Sequence, residues 1–278
     1  MALSTISLTA GMRANLFSLQ QTSKDLEVTQ KRLATGLKVN TALDDPIAFF
    51  ASEAHTQRAS DLAMRKDEMG EAIQTVKAAN NGIEAISTLI ESAKSLAQSA
   101  LSAASSAELS SLQTQYNTIL DQLDLLKEDS GYKGINLLGG ATETLNVKFD
   151  ENGDSSITLT GFDASATGLL INDAAGWDNG TGVADTAAIN TDIGELDTAK
   201  ITLRTESKNL ASNLNIITTR EDFTSSMINT LRDGAAKLTE ADMNEEGANM
   251  LMLQTRQALG TTSLSMASQA AQSVLRLF

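Results

Sequence analysis

The chain has 278 residues, with one proline, no cysteine and a formal net charge of −14. Without cysteine there can be no disulfide bond, no thiolate metal site and no cysteine nucleophile. The acidic balance argues against nucleic-acid binding, because phosphate contacts need a basic face, and no stretch of about 18 apolar residues predicts a membrane span.

Residues 4–34 are predicted to form a helix with one narrow apolar stripe, in which polar Ser23 and Gln30 fill two of the positions. The apolar members of this stripe are Met12, Leu16, Leu19, Leu26, Leu33 and Leu37. Short isolated helices are marginal in water, and a stripe this narrow buries little surface. We therefore expect this helix to need a partner helix.

Residues 35–46 are predicted to interrupt the helix, since they include the turn formers Gly36 and Pro46. Asp44 and Asp45 precede Pro46 and resemble a catalytic carboxylate pair. However, a residue before proline is pushed away from the helical conformation, and Asp is a favoured helix N-cap. We therefore predict a turn and a helix start at this pair rather than catalysis.

Residues 47–104 carry a sustained heptad pattern. Two series three positions apart repeat every seven residues: Leu62, Met69, Val76, Ile83, Ile90, Ala97 and Ala104, and Ala72, Ala79, Ile86, Ala93 and Ala100. Such a pattern predicts a long helix with a coiled-coil seam. The many alanines indicate the close approach of an antiparallel neighbour.

A hinge at residues 102–107 is predicted to precede a further helix that ends at Gly131, with Leu109, Leu112, Tyr116, Ile119, Leu123 and Leu126 on its apolar face. The pattern then changes to two-residue alternation at Leu145, Val147 and Phe149, followed by a turn at residues 150–154 and by Ile157 and Leu159. Alternation on both sides of a turn predicts a β-hairpin. Residues 141–199 hold eleven acidic residues and one lysine, so we expect a solvated outer surface there.

Helical periodicity returns at Ile189 and, after a break predicted at residues 244–247, continues to the C-terminus. The last helix carries a second narrow stripe of Leu253, Leu264, Ala267, Ala271, Val274 and Phe278. Pairing the two terminal stripes buries both of them. The predicted fold class is therefore mainly α, with a long antiparallel helical coiled-coil bundle formed by the N- and C-terminal regions and a small β-hairpin-containing middle insert.

Three domains are expected from this order of elements. They are a terminal helical core (residues 1–44 with 243–278), an outer helical bundle (45–140 with 189–242) and a short solvent-facing β-rich insert (141–188). His55 is the only histidine, and no phosphate-binding loop, dinucleotide fingerprint or nucleophile elbow is present. We therefore expect neither an enzyme nor a bound cofactor or metal.

Four segments of the sequence resemble bacterial flagellins. They are MALSTISLTAGMRANLFSLQ at residues 1–20, KRLATGLKVNTALDD at 31–45, GYKGINLL at 131–138 and SMASQAAQSVLRLF at 265–278. The resemblance covers about residues 1–140 and 190–278. Because four motifs occur in the family's order, the chain is identified as a member of this family.

The resemblance implies a structural subunit that leaves the cell unfolded through the flagellar type III export channel and self-assembles into the extracellular filament. The terminal stripes, from Met12 to Leu33 and from Leu253 to Phe278, are then the self-assembly residues. The implied partners are further copies of the chain, the filament cap, the hook-associated junction proteins and a cytoplasmic secretion chaperone at the C-terminal region. Residues 1–17 lack the charged start and apolar run of a cleaved signal peptide.

The resemblance also bears on the vertebrate innate receptor for flagellin. Family members that this receptor detects present an Arg four residues before a Leu, and a Glu on the next helix. By alignment this chain has Ser92 at the Arg, Leu96 at the Leu and Gln115 at the Glu. Because Arg offers five donors that Ser cannot replace, we expect weak or absent receptor activation.

Two alternative functions remain open from the sequence. A hook–filament junction protein of the same superfamily has similar ends. A cytoplasmic chemotaxis-type signalling hairpin also shows long alanine-rich heptads, although its helical tip would fall where this chain has glycine, aspartate and β alternation. Electron microscopy of cells that overproduce the chain would separate the three.

Overall fold

The computed structural model describes residues 10–275, with only the backbone of residues 274 and 275. Within this range lie the elements α1 (Ala10–Thr35), α2 (Pro46–Ala100), α3 (Ser106–Asp129), β1 (Thr144–Lys148), β2 (Ser156–Thr160), α4 (Thr186–Thr239) and α5 (Met243–Leu275). The predicted fold, mainly α with a small β-hairpin in the middle, is confirmed. None of the described helices contains an apolar stretch that could span a membrane.

The chain divides into two compact units. The terminal unit comprises Met1–Gln57 and Thr230–Phe278, and the central unit comprises Arg58–Asn229. Both α2 and α4 contribute residues to each unit. The predicted helical residues 4–9, and the self-assembly residue Phe278, lie outside the described range.

In the central unit, α2 and α4 run antiparallel. Three polar contacts join the two helices: Lys94 with Asp197, Glu91 with Lys200, and Asn80 with Ser207. As residue numbers fall along α2 they rise along α4, which defines the direction. The antiparallel neighbour that the alanine-rich seam predicts is therefore confirmed.

The heptad seam of α2 is buried along nearly its whole length. Every predicted seam residue from Leu62 to Ala100 is buried, and Met69, Ala79, Ile86, Ala93, Ala97 and Ala100 have no measurable exposure. The expectation for Ala104 was wrong, because α2 ends at Ala100 and Ala104 lies exposed in the connection. Ser105 caps α3 there by accepting a hydrogen bond from the backbone N–H of Glu108 at 3.3 Å.

The β-hairpin places one face against the core of the central unit. Strands β1 and β2 pair antiparallel, with Leu145 opposite Leu159 and Val147 opposite Ile157. Leu145, Val147 and Leu159 are buried, as two-residue alternation requires of a half-covered sheet. In the connecting turn the Asp150 carboxylate accepts hydrogen bonds from the backbone N–H groups of residues 154 and 155, and these bonds lower its pKa.

A tight reversal links α3 to the hairpin. Tyr132 and Ile135 exchange two backbone hydrogen bonds of 2.9 and 3.0 Å around Lys133 and Gly134. Both central residues have positive φ, 48° and 83°, which is the conformation of a type I′ turn and explains the glycine. The reversal sends Leu137 and Leu138 into the core, where they are 1% and 0% exposed.

Residues 161–185 form an irregular segment that is fixed by side chains of α3 and α4. Asn117 exchanges hydrogen bonds with the backbone of Ala174, at 2.8 and 3.3 Å. The Trp177 indole is fully buried, stacks edge-on against Tyr116 with ring centroids 5.2 Å apart, and donates to Asp192 Oδ2 at 2.6 Å. Burial raises the pKa of Asp192, and the hydrogen bond from the indole N–H opposes that shift because it favours the charged carboxylate.

The composition of the acidic middle of the chain predicts a solvated surface, but some of its acidic residues also have a structural role. Several of its carboxylates hold backbone N–H groups of neighbouring loops. Glu195 accepts from the backbone and side chain of Asn172 at 2.8 and 2.9 Å, and Asp178 accepts from the backbone of Gly180 and Gly182. Carboxylates satisfy such donors well, because bonds to a charged acceptor are stronger than neutral ones.

Candidate assembly surface

The two terminal helices pair directly in the terminal unit. Arg32 of α1 forms an ion pair with Glu246 of α5, and Leu19 of α1 packs onto Gly260 of α5. Rising numbers on α1 meet falling numbers on α5, so the pair is antiparallel. The narrow stripes of the two terminal helices predicted that these helices pair, and α1 and α5 do so in the described residues.

The seam between α1 and α5 buries few side chains. Of the predicted self-assembly residues, Met12 and Leu253 are buried, at 8% and 6% exposure. Leu19, Leu26, Leu33, Leu264, Ala267 and Ala271 are half-buried, whereas Leu16 is 38% exposed. The side chain of Val274, like all of Phe278, falls outside the described residues.

The two polar seam positions of α1 differ from the expected ones. Ser23 and Gln30 are exposed, and Thr22 and Thr29 are buried instead, at 3% and 6% exposure. Leu19 and Leu26 fit a heptad pattern with either pair of polar residues between the leucines. The apolar residues alone therefore could not show which pair faces the seam. Threonine suits the buried frame because its hydroxyl can bond the preceding turn, as Thr22 does to Ser18 O at 2.9 Å.

An ion pair fixes the end of the seam near the chain reversals. Arg32 donates to Glu246 Oε1 at 2.8 Å, and the Glu246 side chain is only 8% exposed against 34% for that of Arg32. The other carboxylate oxygen of Glu246 is buried and has no hydrogen-bond partner among the described residues. Removing Arg32 would leave this buried charge unpaired, so the pair sets the register of α1 on α5.

The chain reversals at residues 36–45 and 240–242 lie side by side in the terminal unit. The backbone N–H groups of Lys38 and Val39 both donate to Thr239 O, at 2.7 and 3.1 Å, and that of Ala241 donates to Gly36 O at 2.9 Å. The pairing of α1 with α5 therefore continues as backbone bonding past the helix ends.

The predicted break before the last helix is present, but it lies at residues 240–242 rather than at 244–247, because α5 already begins at Met243. Asp242 caps the helix by accepting hydrogen bonds from the backbone N–H groups of Asn244 and Glu245, at 2.8 and 3.3 Å. The polar residues that suggested a loop are the first turn of the helix, where acidic side chains favour the exposed N–H groups.

Asp44 and Asp45 form the predicted turn and N-cap. Asp45 Oδ1 accepts from the backbone N–H groups of Ile47 and Ala48, both at 3.0 Å, at the start of α2. Asp44 accepts from the backbone of Asn40 and Thr41, and these bonds lower its pKa. Both carboxylates are thus occupied by backbone donors.

The α1–α5 pair exposes large apolar side chains on its outside. The residues of this outer apolar face are Phe17 and Val28 of α1 and Leu251, Met252, Leu259 and Met266 of α5, each between 49% and 71% exposed. Leu251, Met252 and Leu259 line an open groove of about 410 Å³ on α5 alone. Exposed apolar residues that lie together, as Leu251, Met252 and Leu259 do in this groove, are typical of surfaces that associate with another protein.

The structure brings the three residues of the predicted receptor patch together in the central unit. Ser92 and Leu96 of α2 and Gln115 of α3 line one open groove of about 470 Å³, together with Ser95, Thr118 and Ile119. The Ser92 hydroxyl donates to Thr88 O of its own helix at 3.1 Å, and Gln115 bonds Ser111 at 3.2 Å. Both polar groups are therefore satisfied within their own helices.

Comparison with known proteins identifies the class of structural subunit that these features define. The bacterial flagellin N-terminal helical region matches residues 6–143, and the bacterial flagellin C-terminal helical region matches residues 186–278. The chain belongs to the bacterial flagellin family. As a flagellin it is a structural protein and a component of the flagellar filament, and neither matched region describes a catalytic family.

Individual relatives align over nearly the whole chain. Flagellin FljM of Caulobacter vibrioides is 26% identical and covers 100% of both chains, and a flagellin of Brucella melitensis is 29% identical and covers 95% of each. The crystal structure of Bacillus cereus flagellin aligns at 19% identity with a TM-score of 0.45, over 56% of this chain and 88% of that chain. That structural similarity is too weak to inform function.

We predict that enlarging Gly260 weakens the α1–α5 pair. A Cβ atom at this position would lie 2.7 Å from Leu19 Cδ2 and 3.0 Å from Leu19 Cγ, so a leucine there must displace the Leu19 side chain and crowd the seam. Overpacking of this kind costs about 1–3 kcal/mol, and Gly260→Leu should lower the urea midpoint of the monomer measured by circular dichroism.

Gly247→Leu is the matched control, because a Cβ atom there meets nothing within 4 Å on the same helix. Its better helix propensity should leave the midpoint unchanged or raise it. Equal effects of the two substitutions would contradict close packing at Gly260.

Proposed function

We propose that this flagellin polymerises through the outer apolar face of its α1–α5 pair. The observation that supports this most is the exposure of six large apolar side chains on a pair whose own seam is thin. Burying an exposed side chain of this size contributes about 1.5–3 kcal/mol. Neighbouring copies that cover this face would supply the stability that the seam lacks.

In this proposal the terminal helical core, residues 1–44 with 243–278, forms the inner part of the filament, and the self-assembly residues of both terminal stripes lie within it. The outer helical bundle surrounds the core, and residues 141–188 face solvent. The short length of the middle segment leaves one compact insert, since residues 161–185 are held by α3 and α4 rather than forming a domain of their own.

The proposal also includes the export of the chain and its addition at the tip of the filament. The chain leaves the cell unfolded through the flagellar type III channel, for which the lack of cysteine is favourable because no disulfide can form on the way. A cytoplasmic chaperone covers the apolar residues of the C-terminal region before export. Outside the cell the subunit adds beneath the filament cap, and the hook-associated junction proteins connect the filament to the hook.

Removal of either end should abolish polymerisation and leave a soluble helical protein. We expect this of deletion of residues 1–34 and of deletion of residues 247–278, because each deletion takes away one partner of the pair. The α2 seam that holds the central unit is untouched. Sedimentation measures polymer, and circular dichroism measures retained helix; filaments formed by both truncated proteins would refute the proposal.

A point substitution separates loss of the surface from loss of the helix. Leu251→Ser changes a side chain that is 67% exposed on α5, and it should raise the critical concentration for polymerisation about tenfold while the monomer keeps its helix content. Val183→Ser is the matched control, since Val183 is 58% exposed on the central unit. It should leave the critical concentration unchanged.

We also propose that the vertebrate innate receptor for flagellin detects this chain weakly or not at all. Ser92 cannot supply the donors of an arginine, and loss of such an anchor at an interface commonly costs about 2 kcal/mol or more. In a reporter-cell assay the monomer should be weak, and Ser92→Arg with Gln115→Glu should restore signalling. Ser99→Arg with Gln98→Glu, outside the groove, is the control; full potency of the unaltered monomer would contradict this proposal.

A further inference from the structure

The central unit carries two exposed stripes of opposite charge on different helices. The basic stripe is Ile201, Arg204 and Lys208 of α4, and the acidic stripe is Leu125, Glu128 and Asp129 of α3. In each stripe an exposed aliphatic residue is followed by like charges on the same side of the helix, since residues three, four and seven apart are neighbours on a helix surface.

The basic stripe faces away from the core. Ile201 is 64% exposed. Arg204 and Lys208 line an open groove of about 350 Å³ between α4 and α2, whose other charged residues are Lys200 and Glu84. Neither cation forms an ion pair with a described residue, whereas the adjacent Lys200 pairs with Glu91. Two neighbouring unpaired cations in a chain of net charge −14 form a local surface that attracts acidic groups.

The acidic stripe faces away from the core as well. Leu125 is 54% exposed, while Leu120 and Leu123 of the same helix are buried. Glu128 and Asp129 are exposed and form no ion pair with a described residue. The acidic stripe therefore complements the basic stripe: each has one exposed aliphatic side chain, beside two carboxylates in one stripe and beside two cations in the other.

The directions of the helices allow the two stripes to match between copies. Gly82 of α2 lies against Ser130, and Ser95 lies across a groove from Thr118, so α3 runs antiparallel to α2. Because α4 also runs antiparallel to α2, α3 and α4 point the same way. Copies related by a polar helical symmetry keep a common direction along the filament, so α3 of one copy can lie parallel to α4 of the next.

We propose that the basic stripe of one copy docks on the acidic stripe of a second copy of this chain, which rests on the filament function proposed above. With Ile201 beside Leu125, Arg204 stands level with Glu128, three residues further along each helix. Lys208 lies about 4.5 Å beyond the level of Asp129 at 1.5 Å rise per residue, within the span of its side chain. Asp197 meets Asp121 in this register, but Lys94 already neutralises Asp197.

The contact should act mainly on the rate of subunit addition. Exposed ion pairs add little affinity, but complementary surfaces steer encounter and make it sensitive to salt. The outer apolar face of the α1–α5 pair then holds the subunit that this contact has oriented. The two surfaces therefore differ in salt dependence.

Seeded elongation of full-length purified protein at low salt tests the docking. Arg204→Glu with Lys208→Glu, and separately Glu128→Lys with Asp129→Lys, should each slow elongation about tenfold or more, because attraction becomes repulsion. The variant with all four substitutions should recover to within about threefold of the unaltered chain, and a mixture of the two double variants should elongate faster than either alone. High salt should reduce all of these differences.

Lys77→Glu with Lys148→Glu is the matched control for the basic-stripe variant. Both lysines are exposed and form no ion pair with a described residue, and the two substitutions change the net charge by the same amount as Arg204→Glu with Lys208→Glu. Thermal unfolding of each monomer confirms that folding is retained. Unaltered elongation of either double variant, or a fourfold variant as slow as the doubles, would overturn the docking and leave the filament function standing. Failure of the unaltered chain to elongate at all would overturn both.

Discussion

The thin seam between α1 and α5 is the constraint on which the behaviour of the whole chain depends. Met12, Leu253, two threonines and Glu246 are the buried side chains of the α1–α5 pair. Their burial gains little free energy against the ordering of helices of 26 and 33 residues, which costs about 1–2 kcal/mol per residue. Register is instead supplied by specific contacts: the Arg32–Glu246 ion pair and the close fit of Leu19 on Gly260. Weakly held ends with a fixed register fit the proposal above, in which the subunit is exported unfolded and then assembles in one geometry.

The central unit is built on the opposite principle. The α2 seam is buried from Leu62 to Ala100, and its alanines allow close approach of the backbones. Trp177 completes the core, where its indole contacts Tyr116 and Asp192. The unit can fold without help from a neighbouring copy, because the apolar residues of its seam and core are already buried within one chain. In the proposals above, the stability of the fold comes mainly from the central unit, and the strongest contacts between copies come from the terminal unit.

Features that depend on periodic burial could be predicted from the sequence, whereas features that depend on single side chains could not. The α2 seam and the hairpin followed from seven-residue and two-residue repeats, since burial repeats with the geometry of helix and strand. The frame of the α1 stripe did not, because a threonine that bonds its own helix counts as polar in a pattern but packs as apolar. The start of α5 depends on the Asp242 side chain, and the path of residues 161–185 depends on long-range bonds such as Trp177 to Asp192, which no local pattern contains.

Hydrogen exchange compared between monomer and filament tests most directly whether the ends are held by neighbouring copies. The account predicts fast exchange of α1 and α5 amides in the monomer and strong protection of the same amides in the filament. The α2 amides around Ile86 and Ile90 should be protected in both, because their seam is buried within one chain. Protection of α1 and α5 in the monomer equal to that of α2 would contradict the account.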